Sequence, residues 1–177
     1  MLVWAPVIAI VVSVVASAIA VVTDFRTGHI PNWLPLSAAI AGVVLQVLGD
    51  TSPGRGLLSA LAGMAVCGLF PAILWIKGGM MGGDLKLLVG LGALLGAYHG
   101  IEAEFLAACV GALFSLAMLA WQGKLLAVLG NSFFLAFNLV LPRKWRRELH
   151  PSLMHKVRFA LAIFLGATLS AVARFRL

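Results

Sequence analysis

Long, mostly apolar stretches recur along the chain, and they limit its fold more than any other feature. Residues 2–22, "LVWAPVIAIVVSVVASAIAVV", contain no charged side chain, and Asp24 stops the run. A hydrocarbon layer about 30 Å thick is crossed by roughly 17–25 apolar residues of helix. Five further stretches follow: Trp33–Leu48, Leu57–Ile76, Leu85–Tyr98, Phe105–Trp121 and Val157–Val172. Pro35 falls in a first turn, where its missing N–H is harmless, and Pro71 is expected to kink the third stretch near its end. Composition agrees with lipid as the solvent. Hydrophobic residues make up 62% of the chain and charged ones 11%, against about 45–50% and about 25% in soluble domains. The expected fold is an all-α membrane bundle of about six transmembrane helices, forming one membrane-embedded domain over residues 1–177.

The formal charge of +7 does not point to nucleic acid, because the basic residues lie mostly in short loops between apolar stretches. Cys67 and Cys109 each sit inside an apolar run and form no CxxC pair, so no zinc site is expected. His150 and His155 have no acidic cluster beside them, and no metal or other cofactor is expected. Residues 2–22 lack a basic start and are longer than a signal core, so they read as a span and not as a cleaved leader.

Residues 124–141, "KLLAVLGNSFFLAFNLVL", are long enough for a seventh span, but Asn131, Ser132 and Asn138 interrupt them. Leu125, Leu129, Phe133 and Phe137 form an i, i+4 stripe, as in a helix lying in the interface plane. Charge supports that choice. With six spans and the amino terminus outside, Arg26, Lys77, Lys86, Lys124, Arg143, Lys144, Arg146, Arg147, Lys156 and Arg158 face the cytoplasm. Only Arg55, Arg174 and Arg176 stay outside, in keeping with the excess of cytoplasmic Lys and Arg in membrane proteins. Residues 124–141 therefore read as an interfacial helix on the cytoplasmic side. The basic segment after it, "PRKWRRELHPSLMHK", fits against anionic lipid.

This topology brings two carboxylates to the same membrane level. Asp24 ends the first span and opens "DFRTGHIPN"; Asp84 follows "KGGMMGG" and is placed to cap a helix beginning at Leu85. Two carboxylates a few ångströms apart cannot both ionise readily, so such a pair shares a proton. It can hold a water, take its proton as general base and donate a proton to a leaving amine. Gly78, Gly79, Gly82 and Gly83 would permit positive φ and close approach of another backbone. Taken singly, each aspartate also fits a plain role as helix cap or interface anchor.

"DFRTGHIPNWL" together with "GGMMGGDLKLL" resembles the type IV prepilin peptidases, membrane aspartyl proteases of the GxGD type. The likeness runs over nearly the whole chain and is strongest to the short form serving tight-adherence (Flp-type) pili. It implies Asp24 and Asp84 as the catalytic pair and Gly82, Gly83 and Lys86 as the active-site loop. The implied substrate is a prepilin or pseudopilin, cut before its hydrophobic segment at the cytoplasmic face of a bacterial inner membrane. Longer members carry a cysteine-paired methyltransferase segment. With Asp24 after a single span, N-methylation and S-adenosylmethionine are not expected. One departure stands out: the motif here reads "MGGD", with Met81 in the first glycine place.

Lys86 would either bias an aspartate and hold the substrate region or simply snorkel to the interface. Asn32 and Pro31 are expected to shape the loop beside Asp24, where His29 reads as a proton carrier or a solvated loop residue. His99, Glu102 and Glu104 fall on the outer face. From the residues alone, a small transporter with proton-carrying acids, or an inactive assembly scaffold, stays open beside the peptidase. Reporter fusions after Arg26, Gly79 and Arg147 should read cytoplasmic, and one after Thr51 external. An external reading after Arg147 would overturn the six-span count.

Overall fold

The computed structural model describes residues 4–121, 123 and 159–176. All regular structure among them is helical: α1 (Ala5–Thr27), α2 (Trp33–Gly49), α3 (Pro53–Ile76), α4 (Gly82–Trp121) and α5 (Ala160–Arg176). Three of these, α1, α3 and the Gly82–Met118 part of α4, are long and apolar enough to cross a membrane. The expected interfacial helix over residues 124–141 and the basic segment after it lie outside the described residues. Residues 4–111 and 159–176 belong to one compact unit, and residues 112–121, in a second unit, continue α4 as helix.

α1 shows how the bundle is built. Its buried positions are Ala5, Ala9, Ile10, Ser13, Ala16, Ser17, Ala20 and Asp24. Nearly all are small and recur every three or four residues, which places them on one face of a 3.6-residue helix. The large side chains Val11, Val15, Ile19 and Val22 point outward. This inverts the soluble pattern and suits lipid, where small residues let helices approach closely. Ser13 and Ser17 satisfy their hydroxyls locally, donating to the Ile10 carbonyl at 2.7 Å and the Ser13 carbonyl at 2.8 Å. Along this stripe α1 packs on α2 and α5, and α2 packs on α3.

The first limb of α4 forms the centre. Leu87, Leu88, Leu91, Ala93, Leu94 and Leu95 are all buried, so this limb is enclosed on every side, as an all-round apolar helix must be. Glycines set the approach of its neighbours. A methyl group on Gly92 would strike the Gly63 carbonyl of α3, and one on Gly42 would lie 2.5 Å from the Ala93 carbonyl carbon. Backbones, not side chains, meet at these crossings.

α4 does not run straight. Gly96 has φ 74° and ψ 175°, a conformation essentially restricted to glycine. A methyl group on Gly100 would lie 3.3 Å from the Gly92 Cα, whereas eight residues of continuous helix span about 12 Å. The helix therefore folds back on itself at Gly96. The expected spans Leu85–Tyr98 and Phe105–Trp121 are joined by helical residues, and the reversal between them falls within the first expected span, at one glycine. Gln46 supports it by donating its side-chain amide to the Leu94 carbonyl at 3.0 Å.

Gly96→Ala should lower stability by about 1–3 kcal/mol, because the alanine keeps the strained dihedrals and meets Ser59 Oγ at 2.9 Å. Gly54→Ala, whose methyl meets nothing within 4 Å, should be neutral. Thermal unfolding of both variants in detergent is the check.

Candidate active site

Asp24 is the last member of the small-residue stripe on α1. It follows Ala20 by one turn, so the same periodicity that buries Ala20 turns Asp24 inward. It is only 5% exposed. One residue after Thr27 the chain leaves the helix through Gly28, at φ 71°, whose N–H donates to the Asp24 carbonyl at 2.9 Å. Thr27 Oγ1 donates to the carbonyls of Thr23 and His29, at 2.8 and 3.0 Å, and His29 Nδ1 lies 3.1 Å from the Thr27 carbonyl. The turn after Asp24 is thus fixed by its own hydrogen bonds.

Asp84 is 4% exposed. α4 begins at Gly82, two residues before Asp84, so the expectation of a helix opening at Leu85 is corrected. Asp84 is the third helical residue, and its carboxylate accepts the backbone N–H of Met81. That is the reach-back half of a capping box. It fixes the carboxylate by its own helix start.

The two aspartates line one cavity of about 120 Å³, together with His29, Ile30, Asn32, Met81, Gly82 and Gly83, and their carboxylates repel one another. Liquid water takes about 30 Å³ per molecule, so the space suits a few waters. Residues 24 and 84 come together because the stripe of α1 ends at the level where the central helix starts.

The glycines act differently from the sequence expectation. Of the four, only Gly78 has positive φ, at 76°; Gly82 and Gly83 are the first two residues of α4. Gly83 matters through space: a methyl group there would lie 3.1 Å from Ile30 Cβ. Lys86 does not contact the carboxylates through any described hydrogen bond. Its Nζ donates to Asn32 Oδ1 at 2.8 Å, linking α4 to the start of α2. Asn32 makes no capping bond to its own helix, so its oxygen is left for Lys86. Ile30 was missed by the sequence reading, although a lone apolar residue within "TGHIPN" was a usable signal. It is buried and forms the wall between the two aspartate-bearing segments. Among the described residues no cluster of three metal-ligating side chains occurs.

Gly83→Val should force Ile30 towards the cavity and cost about 1–3 kcal/mol, as overpacking typically does. Gly79→Ala, whose methyl would make only an ordinary contact at 3.5 Å, should leave stability unchanged. Equal melting temperatures for Gly83→Val and the parent would contradict the close approach.

Comparison with known proteins bears on this site. A preflagellin peptidase from Methanococcus voltae is 26% identical over 93 residues, a stretch covering 51% of this chain and 40% of that protein's length. The matched region of the present chain thus spans well under half of that relative. No solved structure matches. The family model described as the type IV leader peptidase family matches residues 10–116, which take in Asp24, the "GHIPN" turn and Asp84. That match covers more than half of the sequence, and the chain belongs to the type IV leader peptidase family.

Proposed function

We propose that this protein is an aspartic endopeptidase that removes the leader peptide from Flp-type prepilins or pseudopilins at the cytoplasmic face of a bacterial inner membrane. The observation carrying this reading is the pair of buried aspartates, from helices distant in sequence, on one water-sized cavity. Membership of a leader peptidase family supports it, as does the likeness to a preflagellin peptidase. Peptide hydrolysis alone is proposed, without methylation of the new amino terminus.

The chemistry follows from two carboxylates that share one proton. A water held between Asp24 and Asp84 loses a proton to the ionised carboxylate as its oxygen attacks the scissile carbonyl. The protonated carboxyl stabilises the developing oxyanion. Proton transfer to the leaving nitrogen then breaks the C–N bond and frees leader and mature protein. The dyad acts as a unit, so the shared proton belongs to the pair and not to one residue. Lys86 and Asn32 tie the start of α2, which follows the turn after Asp24, to the start of α4, which carries Asp84. In this reading the chain crosses the bilayer six times, with the two limbs of α4 as separate spans. The precursor's hydrophobic segment lies in lipid beside the bundle, and its leader reaches the cavity from the cytoplasm.

Asp24→Asn and Asp84→Asn keep size and much of the hydrogen bonding but cannot exchange a proton. Each should reduce leader removal by roughly 10³-fold or more, and the double variant should add little, because groups that act as a unit are strongly non-additive. The assay follows the shift of a co-resident prepilin to its mature size in liposomes. Normal processing by either single variant would overturn the two-aspartate mechanism.

A further inference from the structure

A second, larger cavity of about 330 Å³ lies at the other end of the bundle, between the first turn of α1, the last turn of α2 and the Gly96 reversal. From Ala5, on its wall, to Asp24 is about 28 Å of helix at 1.5 Å per residue, so the two cavities are separate. Its size falls at the lower end of pockets that hold small ligands, roughly 300–1,000 Å³.

Two opposite charges line it. Arg174, near the end of α5, has its Nε and Nη2 atoms buried and without a hydrogen-bond partner among the described residues. A guanidinium is always charged, and a buried, unpaired charge is costly, so these atoms call for an anion. Asp50, just past α2, is the second charge. Its Oδ1 accepts the Ser52 N–H and the Thr51 hydroxyl, both at 3.1 Å. Chiefly the Ser52 bond holds its carboxyl below the ordinary range. Asp50 and Arg174 make no ion pair with each other; the described ion pair nearby is His99 with Glu102, at 3.4 Å. Ser59 and Tyr98 add hydroxyls to the lining. The cavity therefore offers a buried fork of donors at one point and a carboxylate at another.

We propose that this cavity binds a zwitterionic phosphoethanolamine headgroup, with the phosphate on the Arg174 guanidinium and the ammonium on Asp50. Guanidinium forks suit phosphate oxygens, and the amine would add a second cation at Asp50, whose carboxylate already feels Arg55 at the start of α3. The ends of membrane-crossing helices lie at the level of lipid headgroups. The ligand is accordingly a phosphatidylethanolamine of the leaflet opposite the aspartates. This site is independent of the peptidase reading, and its test does not involve cleavage.

The full chain, purified in detergent, is titrated with phosphatidylethanolamine or phosphatidylglycerol of identical acyl chains. Binding is read by native mass spectrometry and by melting temperature. Phosphatidylethanolamine should bind more tightly and raise the melting temperature more. Arg174→Gln should weaken that binding roughly tenfold, the scale of one lost charge-assisted hydrogen bond. Asp50→Asn removes the charge of a half-buried turn residue while keeping its size, so the fold should survive, and it should erase the preference between the two lipids. Soluble phosphoethanolamine protecting as well as the lipid, with the same response to both variants, would support the site with a free ligand as its source. Equal binding of the two lipids by the parent, or a preference unchanged in Asp50→Asn, would overturn the proposal.

Discussion

Close backbone contact around the first limb of α4 holds this bundle together, because its solvent gives it little else. Lipid tails are as apolar as leucine, so burying leucine between helices brings no gain comparable to that in water. Association then rests on dispersion, which needs atoms at contact distance. The glycines of α2 and α3 allow that distance by omitting the Cβ that would hold the central helix away. The alanine and serine stripe of α1 does the same on another side. Outside that limb many large aliphatic and aromatic side chains, such as Val11, Val15, Leu58, Leu69 and Phe70, are turned outward, as suits a lipid surrounding.

The same packing explains how a chain this apolar retains two buried carboxylates. Burying one ionised group without partners is strongly unfavourable, and the packing limits the problem to one place. Asp24 extends the inward face of α1 by one turn, and Asp84 begins the enclosed helix. Both therefore lie at the same end of the bundle, beside a small cavity shared with His29 and Asn32 and not within the leucine-lined centre. Asp84 is further stabilised by the Met81 N–H at a helix start, where negative charge is favoured by the unpaired backbone donors.

Much of this could be read from the sequence, for physical reasons that can be named. Span length is set by membrane thickness, so Trp33–Leu48 and Leu57–Ile76 came within a few residues of α2 and α3. The shared level of Asp24 and Asp84 followed from counting apolar stretches and basic loops. The reversal at Gly96 was not legible, because Gly90, Gly92, Gly96 and Gly100 look alike in a string. Only the backbone dihedrals single out Gly96, and His99, Glu102 and Glu104 were read as falling on the outer face, beyond the end of a span at Tyr98. The partner of Lys86 was also hidden, since Asn32 lies 54 residues away and reads as a residue shaping the loop beside Asp24. Arg174 was read only as a basic residue on the outer side, with nothing to mark it as part of a cavity. It lines the same cavity as Gly96, Tyr98 and His99, residues that the sequence alone does not bring beside it.

Met81 is the position where sequence and structure inform each other most. A glycine at that place in the motif suggests a need for φ freedom or for room. Among the described residues every positive φ belongs to a glycine, so Met81 does not adopt one. It stands immediately before α4, and its backbone supplies what the site uses: its N–H to the Asp84 carboxylate and its carbonyl to the Leu85 N–H at 3.3 Å. Any residue other than proline offers these groups. The flexibility expected of this loop is taken up earlier, at Gly78 with φ 76°, and the close approach is made later, at Gly83 against Ile30. The substitution therefore falls between the two glycines whose properties the backbone requires. It adds a methionine to the cavity wall while leaving the support of Asp84 intact.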